Sequence, residues 1–244
     1  MKKILDFVLS CIHLLYFAKL LLIFHVIQVI AFNFFGPKAH QKSVNILNYL
    51  IVKGWLILGT RTYVYRNHPV PENRSIIFIA NHRSMFDIPG IIWFWRKNTP
   101  LFVSKKELAK GIPSVSYNLR KGKAALIDRK NGKSAVVQIA KLAKHASKHK
   151  YSVAIFPEGT RSRSGQLKDF QVGGIAILLE KCPDALVVPI AIKNTGKFNP
   201  KGLFPLVSFT KITYHSLLPI EPKGLNPEEV ATFARKQIAV SLDE

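Results

Sequence analysis

Between Ile4 and Phe35 the chain is almost entirely apolar, interrupted by Asp6, His13, Lys19, His25, Gln28 and Asn33. A helix made of this stretch has almost no polar face, so lipid or protein must cover it on nearly every side. Met1-Lys2-Lys3 before an apolar run is how a secretory leader begins, and Val8-Leu9-Ser10-Cys11 hints at a lipoprotein cleavage box. Few apolar residues precede Cys11 and the run continues far beyond it, which argues against cleavage. A single span needs roughly 20 apolar residues and would fit here. It would, however, hold Lys19 near mid-bilayer at about 2.5–3.5 kcal/mol. Lys2 and Lys3 on one flank and Lys38 and Lys42 on the other also give no positive-inside asymmetry.

A second apolar stretch, Val44 to Leu58, follows the break at Gly36-Pro37. Two apolar helices joined by a Gly-Pro turn can enter one leaflet and return with both ends on the same side. The sequence therefore predicts a monotopic or re-entrant hairpin in preference to a single span. A soluble helical subdomain packed on the core is the alternative, and its weakness is the missing polar face. Residues 1–60 are read as this membrane-associating element and residues 61–244 as the domain that follows.

Charge supplies the next constraint. The 244 residues carry a net +22, yet 48% of them are hydrophobic, which excludes a disordered basic tail. Residues 96–150 hold 15 Lys and Arg against two acids, more than half of the whole excess, while residues 151–244 are close to balanced. The charge is a patch inside a folded domain. Nucleic acid, an anionic membrane and an acidic or phosphorylated partner could each use it. Within the patch, Lys133 to His149 reads as a helix with Val136, Ile139, Ala140 and Leu142 turned to the core and Lys141, Lys144 and Lys148 turned out. Cys11 and Cys182 lie far apart and make neither a disulfide framework nor a zinc pattern, so no metal is expected.

From Arg61 onward, β-branched and aromatic runs alternate with helical periods. Strands are expected at Thr62–Tyr65, Ser75–Ala80, Leu101–Val103, Ala124–Ile127, Tyr151–Phe156, Ala185–Ile192 and Leu206–Tyr214. Helices are expected at Lys133–His149, at Gly174–Lys181, and after an Asn226 cap followed by Pro227, Glu228 and Glu229. This alternation predicts an α/β fold, a mainly parallel or mixed sheet sandwiched by helices.

Sites in such sheets form just past strand ends. The strand at 75–80 runs into Asn81-His82-Arg83-Ser84-Met85-Phe86-Asp87, where a histidine and an aspartate five apart flank a strand-to-helix turn. A carboxylate accepting the imidazole Nδ1–H fixes the tautomer and makes Nε2 a better base. Phe156-Pro157-Glu158-Gly159-Thr160-Arg161-Ser162-Arg163 adds a carboxylate and two guanidiniums suited to a phosphate or a hydroxyl-bearing ligand.

In order and spacing, the segments NHRSMFD, GKAALIDR, FPEGTRSR and VVPIAI resemble the four motifs of the glycerolipid acyltransferase family that makes phosphatidic acid from lysophosphatidic acid. The likeness covers roughly residues 75–192, and the apolar N-terminal pair is similar to the membrane-docking element of bacterial members. It implies His82 as general base, Asp87 as its orienting partner, and Glu158, Gly159 and Thr160 in the acceptor site. Arg161 and Arg129 would hold the acceptor phosphate, with Lys105 a further candidate. Ser162 and Arg163 read as solvated neighbours. Ala124 and Ala125 stand where relatives more often carry larger apolar residues.

The chemistry follows from these residues. A thioester donor, acyl-CoA or acyl-acyl carrier protein, is already activated, so the protein need only make an alcohol nucleophilic and hold it in place. His82 would deprotonate the sn-2 hydroxyl of a lysophospholipid, and direct transfer needs no resident cofactor. A Ser84–His82–Asp87 hydrolase is the rival reading, weakened by a nucleophile two residues from its base and by the lack of a G-x-S-x-G elbow. Glycerol 3-phosphate or another lysolipid remains an alternative acceptor. Anionic membrane lipids are the expected partners, at the cytoplasmic face of an inner membrane. A basic nucleic-acid-binding protein is the different-class alternative, though it leaves the apolar N-terminus unexplained and no nucleic-acid motif supports it.

Overall fold

The computed structural model describes residues 1–243 apart from 129, 130, 163 and 164. Its first element is helix α1 (Lys2–Gly54), divided into two arms by Gly36, whose φ of 81° breaks the helical path just before Pro37. The arms fold back antiparallel. The Tyr16 hydroxyl donates to the Leu50 carbonyl at 2.9 Å, and His13 Nδ1 lies 3.2 Å from the Gly54 carbonyl. The second arm starts directly after the Gly-Pro turn, so Lys38 to Ser43 are helical in addition to the expected apolar stretch.

The first arm sorts its residues against the usual rule. Ser10, His13 and Gln28 are buried with Leu20, Leu21 and Phe24, while Ile4, Phe7, Leu15, Leu22 and Val26 are exposed, as are Phe34 at 78% and Phe35 at 73%. An apolar outer surface of this kind matches an apolar surrounding.

The body is a seven-stranded sheet of β1 (Arg61–Arg66), β2 (Ile76–Ala80), β3 (Pro100–Lys105), β4 (Ala125–Ile127), β5 (Ser152–Ile155), β6 (Leu186–Lys193) and β7 (Lys211–Ser216), in the order β1-β7-β6-β2-β5-β3-β4. Every pairing is parallel except β6 with β7. The mixed α/β sandwich read from the sequence is the observed architecture. Side chains alternate across the central strands: Ile76, Phe78, Ala80, Val188, Ile190 and Ile192 join the core shared with α1, and Ile77, Ile79, Val153, Val187 and Ala191 form a second core on the opposite face.

The first face is covered by α1 and by α2 (Asp87–Phe94), with α3 (Val115–Lys121) packed on α1. The second is covered by α4 (Gly132–His149), α5 (Val172–Lys181) and α7 (Pro227–Leu242); a one-turn α6 (Thr195–Phe198) follows β6. Helix α7 opens with a full capping box between Asn226 and Glu229, as its sequence predicts.

Two expectations are corrected. Helix α4 packs through Ile139, Leu142, Ala143 and Ala146, whereas Val136 is half exposed and Ala140 only partly buried, because the buried stripe starts at Ile139 and continues through Ala143 and Ala146. Lys141, Lys144 and Lys148 do face outward. The strand expected over Leu206–Tyr214 begins only at Lys211. Residues 206–208 are tied instead to the start of α1: the Leu206 N–H donates to Ser10 Oγ at 2.8 Å and the Ser208 N–H to Asp6 Oδ1 at 2.9 Å.

Candidate active site

Parallel strands place their carboxyl ends on one edge of the sheet, and here β2, β3 and β5 deliver His82, Lys105 and the 156–161 segment to that edge. Asn81 fixes the start of the turn. Its side chain donates to the Ile192 carbonyl at 2.9 Å and accepts the Ile192 N–H at 2.8 Å, tying the end of β2 to β6.

The turn brings His82 Nδ1 to 2.8 Å from Asp87 Oδ2. A carboxylate oxygen accepts, so Nδ1 carries a hydrogen, and in the neutral ring this tautomer gives the free lone pair to Nε2. The same Oδ2 accepts the backbone N–H groups of Arg83 at 2.8 Å and Ser84 at 2.9 Å. Asp87 is fully buried, and three donors on one oxygen allow it little freedom. The Tyr214 hydroxyl, also fully buried, donates to the Phe86 carbonyl at 2.7 Å. Burial and the neighbouring Asp87 hold that phenol well above its ordinary pKa, so it stays protonated and remains a donor. Gly90 lets the ring come this close, since a Cβ there would stand 2.1 Å from it. The His82 imidazole keeps a small exposed edge and stacks on Phe156, ring centroids 4.2 Å apart at 19°.

Glu158 faces inward. One carboxylate oxygen accepts the His82 N–H at 2.7 Å and the other accepts the Lys168 N–H at 3.3 Å. Burial raises its pKa, while those two amides and the nearby Arg83 and His82 pull it down. The carboxylate expected to touch an acceptor therefore staples the 156–168 segment to the His82 turn, aided by the Ser162 N–H on the His82 carbonyl at 2.9 Å. The side chains of Arg161 and Lys105 make no hydrogen bond or ion pair among the described residues. Thr160 is exposed and its hydroxyl accepts from Lys168 Nζ at 2.9 Å. Arg129 and Arg163 lie outside the described residues.

These groups surround a cavity of about 2500 Å³. His82, Gly159, Thr160, Arg161, Lys105 and Lys168 line its polar part, and Phe17, Leu21, Val44, Leu47, Ile51 and Met85 its apolar part. Lys197 and Lys201 add cations that the sequence reading missed, because they sit in the charge-balanced C-terminal part of the chain. Phe156 and Lys168 were missed as well. Their roles depend on contacts with His82 and Thr160, and only that of Lys168 with Thr160 is local in sequence. Ser84 is fully buried and its Oγ accepts the Phe86 N–H at 3.1 Å, which takes it out of contention as a nucleophile. Among the described residues no three His, Cys, Asp or Glu side chains converge as a metal site would require.

The arrangement suits general-base chemistry on an amphiphile: an oriented imidazole on the wall, cations lining the same cavity with no partner among the described residues, and apolar side chains from α1. The sequence model of the Acyltransferase family matches residues 61–193. A 1-acyl-sn-glycerol-3-phosphate acyltransferase of Cocos nucifera is 35% identical over 125 residues, which is 51% of this chain and 39% of that protein. The Mus musculus 1-acyl-sn-glycerol-3-phosphate acyltransferase alpha is 23% identical over 193 residues, 79% of this chain and 66% of its own length. The chain thus spans less than two thirds of either relative. The crystal structure of the 1-acyl-sn-glycerophosphate (LPA) acyltransferase PlsC from Thermotoga maritima superposes with a TM-score of 0.81 at 22% identity, over 100% of this chain and 97% of that one.

Proposed function

Because this chain belongs to the Acyltransferase family, we propose that it transfers a fatty acyl group from a thioester donor to the sn-2 hydroxyl of a lysophosphatidic acid. The observation that carries this reading is the His82–Asp87 pair, held at 2.8 Å on the wall of a cavity whose other walls are apolar helix and unpaired cation. The named relatives act as 1-acyl-sn-glycerol-3-phosphate acyltransferases, which supports the same choice of acceptor.

In this mechanism His82 Nε2 takes the proton of the sn-2 hydroxyl as the oxygen attacks the thioester carbonyl. Collapse of the tetrahedral intermediate expels the thiolate, and the imidazolium returns the proton to sulfur. Asp87 stabilises the imidazolium and fixes its tautomer. Arg161 and Lys105 hold the acceptor phosphate, Gly159 and Thr160 shape the polar rim, and Glu158 keeps His82 and the 156–168 segment in register. The donor is acyl-CoA or acyl-acyl carrier protein, and the basic stretch 96–150 would attract either. The outward apolar face of α1 supports docking in one leaflet of the cytoplasmic membrane, with the antiparallel arms returning the chain to the side it came from.

The test is a thiol-release assay on the purified chain in vesicles, with a panel of acceptors and both donor types. Release that depends on lysophosphatidate is expected. Release driven by glycerol 3-phosphate alone would move the assignment to that acceptor, and release without any acceptor would mean hydrolysis.

A further inference from the structure

The cavity is lined in part by buried polar groups that neither the fold nor the reaction accounts for. Gln28 lines the cavity and is completely buried, and neither its Oε1 nor its Nε2 has a hydrogen-bond partner among the described residues. Ser114 lines the same cavity, is also completely buried, and has an equally unpartnered hydroxyl. Its backbone is held at a φ of 64°, and its N–H donates to His25 Nδ1 at 3.2 Å. A non-glycine residue pays for such a conformation, and residues of this kind concentrate where a group has to be aimed. His40 Nε2 and the Tyr117 hydroxyl are further buried polar atoms without partners among the described residues, with the two rings 5.8 Å apart and Tyr117 also 5.8 Å from His25.

Buried polar groups are nearly always paired, and each one left unmade costs about 1–3 kcal/mol. Gln28 offers one acceptor and two donors, and Ser114 offers both capacities. A plain hydrocarbon tail reaching them would leave all of these unsatisfied. An alcohol would both donate and accept. Position matters too: the Phe17 ring lies 6.3 Å from that of Phe86, the neighbour of Asp87. Gln28 stands eleven residues further along the same arm, about 16 Å at 1.5 Å per residue. That separation is comparable to the length of an extended fatty chain whose head lies at the His–Asp pair.

We infer that Gln28 and Ser114 form a hydrogen-bonding subsite for a hydroxyl carried near the far end of an acyl chain. The inference deepens the acyl-transfer reading of this cavity and rests on it for the identity of the chain. The chain can belong to the lysolipid acceptor or to the thioester donor, so the experiment has one arm for each. Lysophosphatidates with and without a hydroxyl near the chain end are compared using a plain donor. Then plain and hydroxylated acyl thioesters are compared using a plain acceptor.

In one arm the hydroxylated chain is expected to be favoured about tenfold in kcat/KM, the equivalent of one buried hydrogen bond. Gln28→Leu should cancel that preference, and Ser114→Ala should reduce it a few-fold. Equal use of both chains in both arms would overturn the inference, as would a preference that survives Gln28→Leu. So would a Gln28→Leu protein that merely accepts longer plain chains, since the polar pair would then be only an end wall. A measurement on His82→Ala protein needs no turnover. A free fatty acid with a terminal hydroxyl should raise its melting temperature more than the unsubstituted acid does, and equal or reversed shifts would sink the subsite. That shift separates the two ideas: transfer without hydroxyl preference removes the subsite alone, whereas a hydroxyl-specific shift without transfer removes the proposed reaction alone.

Discussion

Helices α1 and α4 lie on opposite faces of one sheet and sort their residues in opposite senses. Helix α4 turns Ile139, Leu142, Ala143 and Ala146 inward and Lys141, Lys144 and Lys148 outward, the arrangement water imposes. The first arm of α1 turns Ser10, His13 and Gln28 inward and a run of Ile, Leu, Val and Phe outward. The layers beneath them differ in the same way. The cavity that His82 faces is walled on the α1 side by Phe17, Leu21, Val44, Leu47 and Ile51, whereas α4, α5 and α7 reach it only through Ala135, Ile139, Gly174 and Leu242 and otherwise close a packed core. One face of the sheet therefore supplies mostly packing and the other most of the chamber wall, and the long run of outward apolar residues is on the α1 side.

Substitutions can break that division. The largest effect is expected from His82→Ala, which should lower turnover about 10³-fold with a comparatively small change in melting temperature. Its counterpart on the filled side, Leu142→Ala, should cost about 2–5 kcal/mol of stability and leave turnover per folded molecule unchanged. Parallel assays and thermal melts check both. If Leu142→Ala impaired chemistry as His82→Ala does, the two faces would not be separable.

The next effect is on partition. Replacing Phe34 and Phe35 by serine should reduce vesicle binding about a hundredfold from the lost apolar contact. Replacing Val136 and Val137, the exposed valines of α4, should leave binding unaltered. Sedimentation with vesicles in high salt measures this directly, and release of the parent protein by salt alone would show that charge rather than α1 holds it. A smaller change, about a tenfold rise in acceptor KM with kcat nearly constant, is expected for Arg161→Gln; an unchanged KM would pass the phosphate to another cation.

The smallest effect concerns Glu158. Its folded pKa is raised, so the folded state binds the proton more tightly than the unfolded chain does. Its contribution is therefore full below the unfolded carboxyl value and is lost as pH rises through the folded one. The stability of the parent relative to Glu158→Gln should fall as pH is raised across that window in denaturant titrations, and a rising difference would reverse the assignment.

Much of the sheet was legible because apolar β-branched runs between turn signals have few other readings. The His82–Asp87 pair was legible too, since its contact spans a single turn. Helix α2 was hidden by Pro89 and Gly90, which read as breakers although Gly90 is what admits Tyr214. Helix α3 is short and polar and follows the unusual Ser114, whose N–H is held by His25 from 89 residues away. The inward turn of Glu158 depends on a backbone amide 76 residues distant. Contacts of that range leave no local trace in composition or periodicity.

The ties from Asp6 and Ser10 to residues 206–208 bear on the order in which the molecule is assembled. Those partners are separated by about two hundred positions, so the first arm of α1 leaves the ribosome long before the segment that will anchor its start. During that interval its apolar surface has to be shielded by something other than its final neighbours. A helix whose outward side already suits lipid can wait at a bilayer, and the rest of the chain then folds down onto it. Membrane attachment would on this account precede the completed fold, and the closing of the 206–208 latch would be among the last steps of maturation.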